Sequence, residues 1–184
     1  MIKNININKV INNIKVVKNY DEFRSVYGVF MEEPFYEAWT EDELKEEYDY
    51  LKDNGEVIGY YNDEICGLLN LIDGVKTDQP VSFPNNDKVL YISDIAMKRK
   101  YRGRGYAKSL VNFLMNYLER QDYYENVYLR TNLTGSMSEG LFIPKGFEVM
   151  KNNGKIITQE CSFKRTREDL PEIDIRKFLS KKIR

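Results

Sequence analysis

The stretch Val89–Leu118, VLYISDIAMKRKYRGRGYAKSLVNFLMNYL, decides the fold. Val89–Met97 is an apolar run with apolar residues on both faces, the pattern of a central strand covered on both sides. From Gly103 to Arg120, Ala107, Leu110, Val111, Leu114 and Leu118 form one helical stripe. A basic turn with two glycines joins them. A strand that feeds a helix through such a turn aims backbone N–H groups, and the positive end of the helix dipole, at one spot. That spot suits a phosphate. Gly103 and Gly105 let the backbone approach a bulky anion, and small Ala107 lets the helix start pack closely. Lys98, Arg99, Lys100, Arg102, Arg104 and Lys108 ring the turn with positive charge.

Working outward, the preceding chain reads as one strand, two helices and two strands. Ile14–Val17 is a short apolar run, and Asp21–Met31 carries Phe23, Val26, Tyr27 and Phe30 at helical spacing. Pro34 breaks that helix. Thr40 with Glu43 three residues on forms a capping-box pattern for a helix from Glu41 to about Leu51. Val57–Tyr61 and Ile65–Ile72 flank Asn62-Asp63, which predicts an antiparallel hairpin. Asp73–Asp87 reads as a loop. Downstream, Val127–Arg130 is a strand and Ser136–Phe142 a short helix stopped by Pro144 and Gly146. Phe147–Met150 and Lys155–Lys164 are closing strands around Asn152-Asn153-Gly154. The tail, 166–184, mixes apolar and charged residues and reads as a terminal helix packed on the 1–165 domain or on a partner. The whole is an α/β sheet of mixed direction with helices on both faces.

The 184 residues suffice for one domain with a real core. Lys plus Arg total 28 and Asp plus Glu 29, so a nucleic-acid footprint across the whole surface is not expected. No apolar run is long enough to span a membrane, and the N-terminus lacks a signal-peptide pattern, so the expected location is the cytoplasm. The absence of histidine excludes a Ser-His-Asp triad, a His-ligated zinc site and a His general base. Cys66 and Cys161 form no motif, and no metal site is expected.

Arg102-Gly103-Arg104-Gly105-Tyr106-Ala107 matches the R/Q-x-x-G-x-G/A signature, with Arg102, Gly105 and Ala107 at its fixed positions. A strand ending Ile95-Ala96-Met97 precedes it, an amphipathic helix follows, and FIPKGFEVM supplies a later Gly-Phe pair. In these features Tyr91–Met150 resembles the GNAT acetyltransferases. The resemblance implies a GNAT-like fold, acetyl-CoA as donor, and an N-acetyltransferase acting on a primary amine of a small molecule or peptide. It implies that Arg102 to Lys108, Tyr106 included, hold the pyrophosphate, and that Ile95, Ala96 and Met97 offer backbone groups to the pantetheine arm. Asn132 is a weaker candidate for that arm. A homodimer is an arrangement that the resemblance allows.

Amine acetylation needs a deprotonated amine, a polarised carbonyl and a protonated leaving thiolate. Asp94 is the candidate base: strict alternation places it with Leu90, Ile92 and Ala96, a carboxylate in an apolar row whose burial raises its pKa. The bland reading is a buried Asp that only bonds to backbone or orients the amine. Many members of the resembled family carry Tyr where this chain has Phe142, so the acid is open among Ser136, Ser138, Glu139, a tyrosine and water. Acidic residues between Glu32 and Glu47 suggest an acceptor of cationic character, or simply a solvated helix face. Phe35, Tyr36 and Trp39 read as an acceptor-pocket wall or as core. Without His or a placed Cys, direct attack is expected rather than a covalent enzyme intermediate. The alternatives are a non-catalytic acyl-CoA sensor and an acyltransferase acting on RNA through the basic patch.

Overall fold

The structure is a computed structural model that describes residues 13–32, 40–134, 137–165 and 168–184. In chain order it comprises β1 (Ile14–Val16), α1 (Tyr20–Glu32), α2 (Glu41–Asn54), β2 (Gly55–Asn62), β3 (Glu64–Asp73), β4 (Val89–Met97), α3 (Tyr106–Leu118), β5 (Asn126–Asn132), α4 (Met137–Phe142), β6 (Glu148–Val149), β7 (Lys151–Asn152), β8 (Lys155–Ile156), β9 (Thr158–Arg165) and β10 (Glu168–Lys182). The main sheet runs β1-β2-β3-β4-β5-β10-β6, with β9 also paired to β10. Every pairing in it is antiparallel except β4 with β5. This is the mixed α/β sheet that the sequence pattern predicts. No helix of the described residues is long and apolar enough to cross a membrane.

Local chemistry explains the first half of the chain. Thr40 caps α2, its hydroxyl accepting from the Glu43 N–H while the Glu43 carboxylate accepts from the Thr40 N–H at 2.7 Å. Asp63 turns the β2–β3 hairpin with φ of 65°. The two sheet faces bury separate clusters. Leu90, Ile92, Val127, Leu129 and Leu179 pack under α3 through Val111 and Leu114. Val57, Leu68, Tyr91 and Phe178 pack under α1 and α2 through Phe23 and Leu51.

Two readings of the sequence are corrected. The tail is not a helix but the strand β10, which runs antiparallel to β5 from Arg176↔Asn132 to Lys182↔Asn126. Phe178 and Leu179 are both fully buried, one in each cluster. Adjacent buried residues suit a strand covered on both faces, whose apolar spacing cannot be told from a helix by period alone. The second correction concerns β4. Asn70 pairs with Asp94 but Leu71 pairs with Ile92, so Ser93 is an extra residue, a β-bulge. A one-residue slip exchanges the faces of everything beyond it. Leu90 and Ile92 therefore lie on the α3 face, whereas Asp94 and Ala96 lie on the face of Tyr91, α1 and α2.

Because the tail is an internal strand, Phe178→Ala is expected to destabilise the protein by about 3–5 kcal/mol in urea denaturation. A loss below about 1 kcal/mol, as for a surface substitution, would contradict this placement.

Candidate functional site

The turn between β4 and α3 contains two left-handed glycines, Gly103 at φ +75° and Gly105 at φ +82°. A side chain would be strained at either position. A Cβ at either would meet no atom within 4 Å, so the turn presents open backbone. Gly105 is the N-cap of α3, and no side chain caps the helix there. The first-turn N–H groups of a helix have no partners within it. Here they are left to an external acceptor, in contrast to the capping box of α2.

The surrounding cations are partly engaged. Glu64 accepts from Lys98 at 2.9 Å, from Lys100, and from the Tyr101 hydroxyl at 2.8 Å. Lys100, then Lys98 and Tyr101, hold the Glu64 carboxyl down at about 2. Arg102 Nε donates to the Met97 carbonyl at 3.1 Å, tying the turn to the end of β4. The Arg104 guanidinium lies over the Tyr101 ring at 5.5 Å, and Lys108 is exposed. Tyr106 stacks on Tyr60 with centroids 4.3 Å apart, which anchors the start of α3 to β2. Its ring is thus an internal support, whereas its N–H belongs to the open first turn.

The β4–β5 pairing ends at Ile92↔Leu129. Beyond it, β5 stays paired with β10 to Asn132, while Asp94–Met97 pair only with β3. The strands separate, and the Ile95–Met97 edge away from β3 has no strand partner, its Met97 carbonyl being held by Arg102. The buried Ser93 Oγ at this junction has no hydrogen-bond partner among the described residues. An open edge, an orphaned hydroxyl and an uncapped helix start in sequence fit an extended arm that ends in phosphates. Asn132, at the end of β5, is exposed.

Asp94 lies on the opposite face from α3. The residue is exposed, not buried as the sequence pattern suggests. Even so, loss of hydration raises its pKa from an ordinary 3.8 to about 6. The buried Tyr27 hydroxyl is hydrogen-bonded to Asp94 and accepts from Asn70 Nδ2 at 2.8 Å. Burial, then the charges of Asp94 and Glu47, raise the Tyr27 pKa well above 10, so the phenol stays a donor. Tyr27 and Asn70 position the carboxylate. Lys76, Arg130 and Arg176 also act on it, each favouring the charged form.

None of these five partners was singled out from the sequence. Tyr27 reads as one more core residue of a helical stripe. Asn70 could have been found: it is the sole polar residue inside the apolar run Ile65–Ile72. Lys76, Arg130 and Arg176 carry no local signal, because only the sheet order brings them together. Phe142 is buried and packs edge-on against Phe147 at 5.1 Å. Glu139 is paired with Lys177. Ser136, the Ser138 side chain, Phe35, Tyr36 and Trp39 lie outside the described residues. Of the acidic series, Glu33 and Glu37 and the Glu32 side chain also lie outside, Glu41 is paired with Arg24 at 2.7 Å, and Glu43 serves the capping box. Both cysteines are free, Cys66 being buried.

Comparison with known proteins agrees with this geometry. The profile of the Acetyltransferase (GNAT) family matches residues 21–147. No curated protein matches the sequence significantly. The fold is similar to that of an N-acetyltransferase from Staphylococcus aureus Mu50, at a TM-score of 0.65 and 13% identity, over 93% of this chain and 98% of that one. A Bacillus subtilis acetyltransferase in complex with CoA gives 0.61 and 14%, over 92% and 97%. A phosphinothricin acetyltransferase from Sinorhizobium meliloti in complex with AcCoA gives 0.63 and 12%, over 92% and 86%. With most of the chain matched by the profile, and the motif lying in its strand–turn–helix setting, the protein belongs to the GNAT family of acetyltransferases.

Proposed function

We propose that the chain transfers an acetyl group from acetyl-CoA to a primary amine by direct attack, with Asp94 as the group that receives the amine proton. The observation that carries this reading is a carboxylate of raised pKa, held by Tyr27, on the strand whose pairing with β5 ends at the same bulge. When bound, acetyl-CoA supplies an activated thioester, whose C–S bond breaks as the new C–N bond forms.

The first-turn N–H groups of α3, with Gly103, Gly105 and the cations at Arg102, Arg104 and Lys108, would hold the pyrophosphate. The Ile95–Met97 edge would hold the pantetheine arm and supply the N–H that polarises the carbonyl. The acceptor arrives as an ammonium, and this is the cationic character that the site meets. Asp94 attracts it, orients it through the Tyr27-fixed oxygen, and takes its proton. A pKa near 6 leaves the carboxylate ionised at neutral pH while narrowing the gap to the amine it deprotonates. A small-molecule or peptide acceptor, a cytoplasmic location and a homodimer are parts of the proposal that rest on family resemblance.

The buried Phe142 ring favours a second reading, an acyl-CoA-binding module without turnover, because that position offers no phenol to protonate a thiolate. Release of free thiol from acetyl-CoA in the presence of an amine panel separates the two. Tight binding with no release on any amine supports the module.

Gly105→Glu is expected to abolish acetyl-CoA binding in calorimetry while the far-UV spectrum stays native. The new carboxylate points into open space at the anion site, and unchanged affinity would refute the phosphate assignment. Asp94→Asn is expected to lower kcat by about a hundredfold or more, in the range of a lost general base. The wild-type kcat/KM should fall as pH drops through about 6, where the carboxylate becomes protonated. That acidic limb should be missing in Asp94→Asn. A variant with near-normal kcat and the same limb would remove Asp94 from the reaction.

A further inference from the structure

The face that carries Asp94 also carries three cations that the proposed chemistry does not use, Lys76, Arg130 and Arg176. Arg130 lies on β5 one residue past the last β4–β5 pair, and the alternation that sends Val127 and Leu129 under α3 sends Arg130 to the Asp94 face. On β10, Phe178 pairs with Arg130, and Arg176 is two residues from Phe178, so the two arginines are diagonal neighbours on that face. The loop after β3 brings Lys76 over the same region. It is fastened there by three bonds: the Lys76 N–H donates to the Tyr128 hydroxyl at 3.1 Å, that hydroxyl donates to Gln79 Oε1 at 2.7 Å, and Gln159 Nε2 donates to the Asp78 carbonyl at 2.9 Å.

The cations differ in how they are matched. Arg176 is paired with Asp174 at 2.7 Å. Arg130 donates to the neutral amide oxygen of Gln159 at 3.0 Å, and it is in no carboxylate pair among the described residues. Lys76 Nζ lies over the Tyr50 ring at 5.2 Å. The anions acting on this region are Asp94 itself, Asp78, which bears on Tyr91 and Tyr128, Asp174, which pairs with Arg176, and Glu47, which bears on Tyr27. A protein that needed only to hold an ammonium at Asp94 would gain nothing from an arginine, fixed by an amide rather than neutralised, beside it. A guanidinium fixed in that way is set to receive a planar oxyanion through its remaining N–H groups.

We infer that the acceptor is a small amine that also bears a carboxylate or similar oxyanion, an amino acid in the general sense, with its amino group at Asp94 and its anionic group held by Arg130 with Lys76 and Arg176. This rests on the reading of Asp94 as the residue that faces the amine. The acceptor is thus zwitterionic when it enters, matched at one end by an anion and at the other by cations. Specificity follows from mismatch: a polyamine would place an ammonium among the cations, and an amide would leave Arg130 without its charged partner.

The test uses the full-length protein, acetyl-CoA and acceptors in matched pairs, each amino acid against its carboxamide, together with diamines and short peptide amides. Thiol release is followed for wild type, Arg130→Gln, Arg130→Lys and Asp94→Asn. The expected wild-type preference in kcat/KM for acid over amide is about tenfold or more, the size of one charge-assisted contact. It should collapse in Arg130→Gln through KM and survive in part in Arg130→Lys. Asp94→Asn should lose kcat on acid and amide together and keep the preference. Equal use of acid and amide by the wild type, preference for diamines or peptide amides, or an Arg130→Gln protein with the wild-type preference would each overturn the inference. A normal kcat in Asp94→Asn would instead refute the role of Asp94, whatever Arg130 does.

Discussion

The architecture depends on one extra residue, Ser93, in the middle of β4. Up to Ile92 the strand is hydrogen-bonded on both edges, to β3 and to β5. Past the bulge it keeps only β3. The same residue therefore marks two changes. It coincides with the end of the pairing to β5, so that Ile95–Met97 keep only their β3 edge paired. It also rotates Asp94 away from the α3 side, onto the face of α1, where Tyr27 and Asn70 meet it. Bulges at strand splits commonly re-aim a side chain in this way. α3 and Asp94 thus lie on opposite faces of the sheet.

The two ends of β4 handle charge differently. At α3 the fold leaves a helix N-terminus uncapped and lets Glu64 gather Lys98 and Lys100. At Asp94 it places a carboxylate where its ionised form is poorly hydrated. The sign of the resulting pH effect is definite. The folded protein holds the Asp94 proton more tightly than the unfolded chain does, between its ordinary 3.8 and about 6. Stability is therefore lost as pH rises through that window, and the ionised group weighs against folding at neutral pH. The Tyr27–Asn70 bonds and the three cations limit that cost without removing it. A residue that opposes folding yet is held in place by buried neighbours is what a proton-accepting role requires.

Much of the fold was legible because its signals are local. The capping box at Thr40 and Glu43, the Asn62-Asp63 hairpin and the stripe of α3 each rest on a few adjacent residues. So does the glycine turn, whose Gly103 and Gly105 have left-handed φ. What was not legible is non-local. The bulge leaves no mark in VLYISDIAM, because Ser93 could equally be a regular strand residue, and strict alternation therefore set Asp94 on the wrong face. The tail resembled a helix because Phe178 and Leu179 serve opposite cores. Tyr27, Lys76, Arg130 and Arg176 come from four separate elements, and only the sheet order, with β10 inserted beside β5, brings them to one carboxylate.

The central claim is that the bulge turns Asp94 onto the α1 face, where Tyr27 holds it and partial loss of hydration raises its pKa. The most direct measurement is an NMR titration of the Asp94 side-chain carboxyl carbon in the free protein. The account predicts a midpoint near 6. A midpoint at or below the ordinary 3.8 would show a solvated or salt-bridged carboxylate, and would contradict the loss of hydration and the role built on it.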